Sequence, residues 1–189
     1  RASSSAKGEI ALSARSFNTN VNHEIAPVYQ TVTVRKGDNP LEMELPMGQN
    51  FLTWDEFSPA LYRLTATLKN GKQIETKQVQ FGMREFTING KWFYVNGRKT
   101  MLRGTVENCD FPLTGYAPMD VASWERVFRI CRNYGLNHMR FHSFCPPEAA
   151  FIAADLVGFY LQHEGPSWPN HGPKLGNGQP IDKYLMDET

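Results

Sequence analysis

The stretch LNHMRFHSFCPPEAAFIAADLVGFYLQHE, residues 136–164, decides the fold of the second half of the chain. LNHMRF predicts a short strand, PPEAAFIAADLVG predicts a helix opened by prolines and closed by Gly158, and FYLQHE predicts another strand. Strands that alternate with helices at this spacing indicate a parallel sheet with right-handed crossovers.

The same alternation begins further upstream, where TMLRGTV, residues 100–106, predicts a first apolar strand. The loop ENCDFPLTGYAPM then leads to Asp120, a good N-cap, and Gly135 supplies the C-terminal stop of the helix between them. The apolar face of this helix has helical spacing and contains Val121, Trp124, Val127, Phe128, Cys131 and Tyr134. In a parallel sheet, the groups at the C-terminal ends of the strands are the ones exposed to a ligand.

Polar residues follow each of the three predicted strands. They are Glu107, Asn108 and Asp110 after the first, Arg140, His142 and Ser143 after the second, and His163, Glu164, Ser167 and Trp168 after the third. We expect the three clusters on one rim, where polar groups and a tryptophan that stacks on a ring face suit an uncharged, polyhydroxylated ligand. The alternative for each residue alone is that strand ends are polar because they meet solvent.

Two of these residues carry specific expectations. Arg140 lies at the mouth of the sheet, where an unpaired guanidinium is costly, so we expect a carboxylate partner, with Glu164 as the candidate. His142 has two interpretations, a ligand-facing group or a core histidine whose ring is satisfied by a backbone carbonyl.

The first half of the chain has the signals of an antiparallel β-sandwich, with short alternating runs between turn residues. Apolar positions alternate in the runs Ile10–Ala14, Val28–Val34, Leu41–Leu45 and Tyr62–Leu68, and a returning strand passes through Val79 and Phe81. Asn70-Gly71 predicts a two-residue hairpin, and Asn89-Gly90 and Asn96-Gly97 predict tight turns around KWFYV at the junction between domains. We therefore predict two domains, residues 1–83 and residues 84–189.

Composition excludes several classes of protein. The 189 residues are 41% hydrophobic, which supports packed cores, and 20 basic against 19 acidic residues leave a net charge of +1 without a basic block. We therefore expect no nucleic-acid partner and, because no apolar run approaches the ~20 residues of a span, no membrane span. RASSSAKGEI lacks the apolar centre of a signal peptide, and without an initiator methionine we expect the N-terminus to be a cut point in a longer protein.

Cysteine and histidine spacing argues against a metal site. The three cysteines, Cys109, Cys131 and Cys145, have no C-x-x-C spacing, although one pair could bridge, and Cys131 falls on the apolar side of its helix. The histidines show no i, i+4 pair on a helix. Mg²⁺ held by Glu164 and waters is an alternative that no further residue supports. We expect neither a metal nor another cofactor.

The segments FGMREFTINGKWFYVNGRKTMLRGTVENCDFPLTG and NYGLNHMRFHSFCPPEAAFIAADLVGFYLQHEGPSW resemble glycoside hydrolase family 2, which includes β-galactosidases, β-glucuronidases and β-mannosidases. WDEFSPALYRLTATL is similar to a strand of the family's immunoglobulin-like domain. The resemblance implies an immunoglobulin-like β-sandwich followed by the first three β/α units of a (β/α)₈ TIM barrel. It also implies a retaining glycosidase with two catalytic glutamates, neither of which can be assigned in this chain.

The resemblance also implies roles for single residues. Arg140 matches the arginine that hydrogen-bonds the nucleophile, and Asn108 stands where many members place a sugar-contacting histidine. Glu164 matches the glutamate or acidic pair that closes the third strand. His142 is displaced by one position from the family's S-H-Y-P pattern. Trp168 and His171 lie where some β-galactosidases have a metal-binding E-x-H, but the glutamate is absent, so no magnesium site is transferred.

Three functions follow from these patterns. We favour part of a retaining β-glycosidase that acts on a carbohydrate, with no activity in the isolated piece. The alternatives are a non-catalytic carbohydrate-binding or scaffolding module and a homologue without chemistry. Uncovered strand edges invite association, so we expect a homo-oligomer or cover from the sandwich. Only the family resemblance suggests a cellular location, which is periplasmic or extracellular.

Overall fold

A computed structural model describes residues 4–165 of the chain. The first half contains the strands β1 (Ala6–Phe17), β2 (Glu24–Val34), β3 (Leu61–Asn70), β4 (Gln73–Phe81), β5 (Phe86–Asn89), β6 (Trp92–Val95) and β7 (Arg98–Thr100). The second half contains β8 (Gly104–Glu107), α1 (Val121–Asn133), β9 (His138–Phe141), α2 (Glu148–Val157) and β10 (Tyr160–Gln162). The chain forms two compact units that divide between Thr100 and Met101. The predicted domain boundary between residues 83 and 84 stays a prediction.

The first unit is built on a four-stranded antiparallel sheet in the order β2-β1-β3-β4. Ile10, in β1, pairs with Leu68, and Leu12 pairs with Ala66, so the predicted alternation produces one apolar face. Glu9 pairs with Lys69 on the opposite, polar face. This β-rich unit is consistent with an immunoglobulin-like sandwich domain.

Tyr62 anchors the end of this sheet. Its fully buried ring stacks on Phe81 with a centroid distance of 5.5 Å, and its hydroxyl accepts a hydrogen bond from the Leu52 N–H at 2.8 Å. The same hydroxyl lies 2.7 Å from His23 Nδ1. Both polar contacts satisfy a hydroxyl that burial would otherwise penalise.

The predicted strand at Leu41–Leu45 is wrong, because the described residues form no named strand between Val34 and Leu61. An alternating pattern specifies which side of an extended segment is apolar, but a strand also requires a hydrogen-bonded neighbour. The alternation survives as half-buried Met43 and Leu45 beside exposed Glu44.

Tight turns join the remaining strands of the first unit. Asn96 and Gly97 have φ values of 52° and 73°, as the prediction of an Asn-Gly turn between β6 and β7 requires. Between β3 and β4 the hairpin is confirmed with a shift of one residue, because Asn70 pairs with Gln73 and the loop is Gly71 and Lys72.

The second unit contains a parallel sheet in the order β10-β9-β8, which confirms the predicted parallel arrangement of these strands. Both helices contribute to one buried hydrophobic cluster with β9 and with Phe159, which directly precedes β10. Its ring contacts include Trp124 on Phe128 at 5.7 Å, Phe128 on Phe159 at 4.9 Å and Trp124 on Phe141 at 5.8 Å. Residues 166–189 lie outside the described residues.

The helix ends agree with the sequence prediction. Asp120 caps α1 by accepting a hydrogen bond from the Ser123 N–H at 2.8 Å, and Gly135 follows α1 with a φ of 80°. Gly158 ends α2 with a φ of 76°.

The three cysteines are all free. Cys131 is half-buried beside the hydrophobic cluster, and burial raises the pKa of its thiol.

Asn137 ties the start of β9 to the segment that precedes β8. Its side chain is 1% exposed, accepts a hydrogen bond from the Arg103 N–H at 2.7 Å and donates one to the Met101 carbonyl at 3.0 Å. Its backbone N–H donates to the Arg103 carbonyl, and its carbonyl accepts from the Tyr160 N–H. One buried residue therefore links the entrances of all three parallel strands.

No helix among residues 4–165 is long and apolar enough to cross a membrane.

Candidate functional site

The three parallel strands end at one edge of the sheet. Glu107 is paired with Phe141, and Arg140 is paired with both Val106 and Gln162, so the segments after the strands emerge side by side. The expectation of a common rim is confirmed for the residues that follow β8, β9 and β10 as far as residue 165.

The two faces of the sheet differ. Met139 and Phe141 are buried against the helices, and because side chains alternate along a strand, His138 and Arg140 face the other way. Val106, which pairs with Arg140, is 50% exposed. The arginine thus belongs to an open face that the two helices do not cover.

Strands β8 and β9 leave the sheet in the same way. The second residue after each strand, Cys109 and Ser143, adopts a left-handed backbone with a φ of 61°, although neither is glycine. This conformation costs an ordinary residue about 1–2 kcal/mol and is frequent at functional sites. The first turn is fixed by Glu107, whose carboxylate accepts a hydrogen bond from the Asp110 N–H at 3.1 Å and whose carbonyl accepts one from the His142 N–H at 2.8 Å.

Arg140 and Glu164 form an ion pair at the rim, as the sequence predicted. Arg140 Nε donates to Glu164 Oε1 at 2.6 Å, and the Ser143 N–H donates to Glu164 Oε2 at 2.9 Å. The side chains are 41% and 28% exposed, so this is a rim pair rather than a buried one. Hydrogen bonds from Arg140 and Ser143, followed by the charges of Arg140 and His142, hold the pKa of Glu164 below its ordinary value and keep it ionised.

The ion pair uses Nε, the guanidinium nitrogen next to the aliphatic stem of Arg140. Within residues 4–165, the terminal nitrogens Nη1 and Nη2 of Arg140 donate no hydrogen bond. These two nitrogens form the planar fork that binds a carboxylate or neighbouring hydroxyls with two parallel hydrogen bonds. The open face therefore carries a donor group suited to a second anionic or hydroxylated partner.

His142 and Asn108 form a second polar contact on the rim, with His142 Nδ1 3.1 Å from Asn108 Oδ1. Because an amide oxygen only accepts hydrogen bonds, Nδ1 carries the proton in this contact. His142 is half-buried and Asn108 is exposed, so the interpretation of His142 as a core histidine is not the one observed.

The remaining predicted site residues are less closely joined. Asp110 is exposed in the loop after β8, and its carboxylate makes no hydrogen bond or ion pair within the described part of the chain. Trp168, predicted to stack on a sugar ring, lies outside the described residues. Within residues 4–165, no group of three or more histidine, cysteine, aspartate or glutamate side chains could hold a metal ion.

The sequence interpretation missed His138, which lies on the open face one pleat before Arg140. Burial lowers the pKa of this imidazole, so it is neutral at physiological pH. It fits because Gly104, its partner in β8, has no side chain: a Cβ at Gly104 would lie 2.4 Å from His138 Nδ1. The feature that could have identified His138 is its pairing with a glycine, Gly104, directly opposite it in the neighbouring strand.

Comparison with known proteins agrees with this architecture. The family model described as glycosyl hydrolases family 2 matches residues 1–84. A β-galactosidase of Thermoanaerobacter pseudethanolicus is 31% identical over 143 residues, which cover 74% of this chain and 19% of that protein. A putative β-glucuronidase of Formosa agariphila is 32% identical over 127 residues, which cover 66% of this chain and 15% of that protein.

The fold is also similar to that of a solved structure. The crystal structure of a Parabacteroides merdae β-glucuronidase matches with a TM-score of 0.70 and 24% identity, covering 97% of this chain and 22% of that one. This chain belongs to glycosyl hydrolases family 2, and it spans less than a quarter of the length of the relatives described here.

Proposed function

We propose that the chain is part of a retaining β-glycosidase and forms the start of its catalytic barrel. The observation that carries the proposal is Arg140, which lies on the open face of the parallel sheet and is held by Glu164 through Nε. The relatives named β-galactosidase and β-glucuronidase support the reaction class. The parallel strands β8, β9 and β10, with helices on one side, are the pattern from which a (β/α)₈ barrel begins.

In the proposed reaction, Arg140 is a positioning residue. A retaining glycosidase needs one carboxylate as the nucleophile and a second carboxyl group as the acid and base, ~5–5.5 Å apart. The terminal nitrogens of Arg140 would bind the nucleophile and keep it ionised, since a guanidinium stabilises a nearby carboxylate. We propose that both catalytic glutamates come from other segments of the full-length protein, so that residues 1–189 alone have no activity.

The sugar would be bound by other groups of the rim. Asn108 and His142 are close enough to act together on one hydroxyl. Asp110 lies in the same loop as Asn108, and we propose that its carboxylate accepts a further hydroxyl. Trp168 remains the proposed stacking platform. The proposed partner is therefore a carbohydrate that bears a β-linked glycoside.

The test compares two proteins on aryl β-glycosides. The full-length gene product is expected to release the aryl group with retention of configuration at the anomeric carbon, and residues 1–189 are expected to release none. Turnover by residues 1–189 would contradict the placement of the catalytic glutamates. Sugar binding by residues 1–83 in calorimetry, together with an inactive full-length protein, would favour a non-catalytic binding module instead.

A further inference from the structure

Glu164 is connected to the exit of β9 by three hydrogen bonds. Its carboxylate accepts from Arg140 Nε at 2.6 Å and from the Ser143 N–H at 2.9 Å, and its own N–H donates to the Phe144 carbonyl at 3.3 Å. The two carboxylate oxygens are used separately, one for the side chain and one for the backbone. Glu164, which follows β10, therefore holds both the side chain of Arg140 in β9 and the turn at Ser143 that follows β9.

The turn at Ser143 requires an external contact. Ser143 has a φ of 61°, a conformation that residues with a Cβ avoid unless neighbouring groups enforce it. In this conformation its N–H meets Glu164 Oε2, and a hydrogen bond to an ionised carboxylate is roughly twice as strong as one between neutral groups. The negative charge of Glu164 thus favours the left-handed turn over a relaxed one.

The same carboxylate determines which part of the guanidinium is presented. Because Glu164 engages Nε, the flexible Arg140 side chain is held at the guanidinium nitrogen next to its aliphatic stem, and within residues 4–165 Nη1 and Nη2 make no hydrogen bond. The charged groups that face Glu164 from the neighbouring elements are Arg140 on β9 and His142 in the loop before α2. Both favour an ionised Glu164, so its hydrogen bonds from Arg140 Nε and the Ser143 N–H are formed at neutral pH. These two hydrogen bonds to the Glu164 carboxylate are called the clamp below.

We propose that Glu164 is the positioning residue of this site, aiming Arg140 at the nucleophile and holding the β9–α2 turn through Ser143. It acts through these two residues and touches neither the sugar nor the reacting atoms. The inference rests on the proposed function for its catalytic meaning, whereas the clamp itself can be tested without any activity.

The first measurement uses the 189-residue chain and nuclear magnetic resonance of its arginine Nε–H and backbone amide groups. In the wild type, we expect the Arg140 Nε–H and Ser143 N–H signals to shift together as pH falls, with one shared midpoint below the ordinary glutamate value. Glu164→Ala should abolish both shifts, and Glu164→Gln should leave both signals independent of pH. Glu125→Gln, which removes another carboxylate paired with an arginine, is the matched control and should change neither signal. Unchanged Arg140 and Ser143 signals in Glu164→Ala would overturn the clamp.

The second measurement uses the full-length gene product. Glu164→Gln should lower kcat roughly tenfold or more while KM changes by less than about threefold, because the lost interaction acts mainly in the transition state. Glu164→Asp should recover part of kcat, and Glu125→Gln should leave it unchanged. Equal kcat in the wild type and Glu164→Gln would refute the positioning role even if the clamp is seen. An inactive wild type with an intact clamp would instead refute the proposed glycosidase.

Discussion

Replacement of Asn137 by alanine is expected to destabilise the second unit more than its position in a short connection suggests. The side chain is 1% exposed and makes two hydrogen bonds to backbone groups, the Arg103 N–H at 2.7 Å and the Met101 carbonyl at 3.0 Å. Removing it leaves the Arg103 N–H without its side-chain partner, whereas the Met101 carbonyl keeps a hydrogen bond of 3.3 Å from Arg103 Nη1.

The magnitude follows from the orphaned Arg103 N–H and from the loss of one of the two donors to the Met101 carbonyl. A donor left without a partner costs about 1–3 kcal/mol, so we expect a loss of about 2 kcal/mol. That value corresponds to roughly a thirtyfold decrease in the ratio of folded to unfolded protein. Asn137→Asp should lose a comparable amount, because it retains the acceptor for Arg103 but removes the donor to Met101 and buries a charge.

The assay is native-state amide hydrogen exchange, which reports the free energy of opening of each unit separately. The slowest amides of β9 and α2 should exchange faster in Asn137→Ala, whereas the amides of β1 and β3 should be unaffected. Asn133→Ala, at an exposed position at the end of α1, is the control and should change stability by less than about 0.5 kcal/mol. A loss of under about 1 kcal/mol in Asn137→Ala would refute the argument that these two hydrogen bonds hold the strand entrances together.

Three further predictions concern the same sheet. Gly104→Ala should cost about 2 kcal/mol in thermal or urea unfolding, because its Cβ would meet His138 Nδ1, and His138→Ala should rescue it; additive losses in the double mutant would exclude this clash as the cause. The pKa of Glu164 is lowered in the folded chain, so its stabilising contribution is present above about pH 4.5, the ordinary value, and is lost as pH falls through the lower folded value. Unfolding midpoints measured from pH 6 to pH 3 should therefore fall less steeply in Glu164→Gln, and parallel curves would contradict this. The chain should self-associate as concentration rises in sedimentation velocity, because β8 and β10 have unpaired outer edges among the described residues; a monomer at all concentrations would be the opposite result.

Local signals were sufficient for much of the fold. Asp120 predicts the start of α1, Gly135 and Gly158 predict helix ends, and Asn96-Gly97 predicts a turn, because each depends on a few neighbouring residues and their allowed backbone angles. The failure at Leu41–Leu45 has the opposite origin. A strand is defined by its hydrogen-bonded neighbour, and no local pattern contains that neighbour.

The candidate site shows the same division. Parallel strands place the residues after them on one edge, so the meeting of Arg140 with Glu164 could be expected from the order of strands and helices together with the cost of an unpaired guanidinium. The left-handed turns at Cys109 and Ser143 could not be expected from the sequence, because neither residue type favours that conformation by itself.

The sequence by itself determined the order of elements, the helix caps, the parallel sheet and the identity of the charged partners, since these follow from periodicity, local backbone preference and the cost of burying charge. Only the tertiary structure decided that Asn137 links three strand entrances, that Arg140 is held through Nε, and that one carboxylate serves both Arg140 and Ser143. Those facts depend on distances between atoms 21 or more residues apart in the chain, which are set by packing the whole unit.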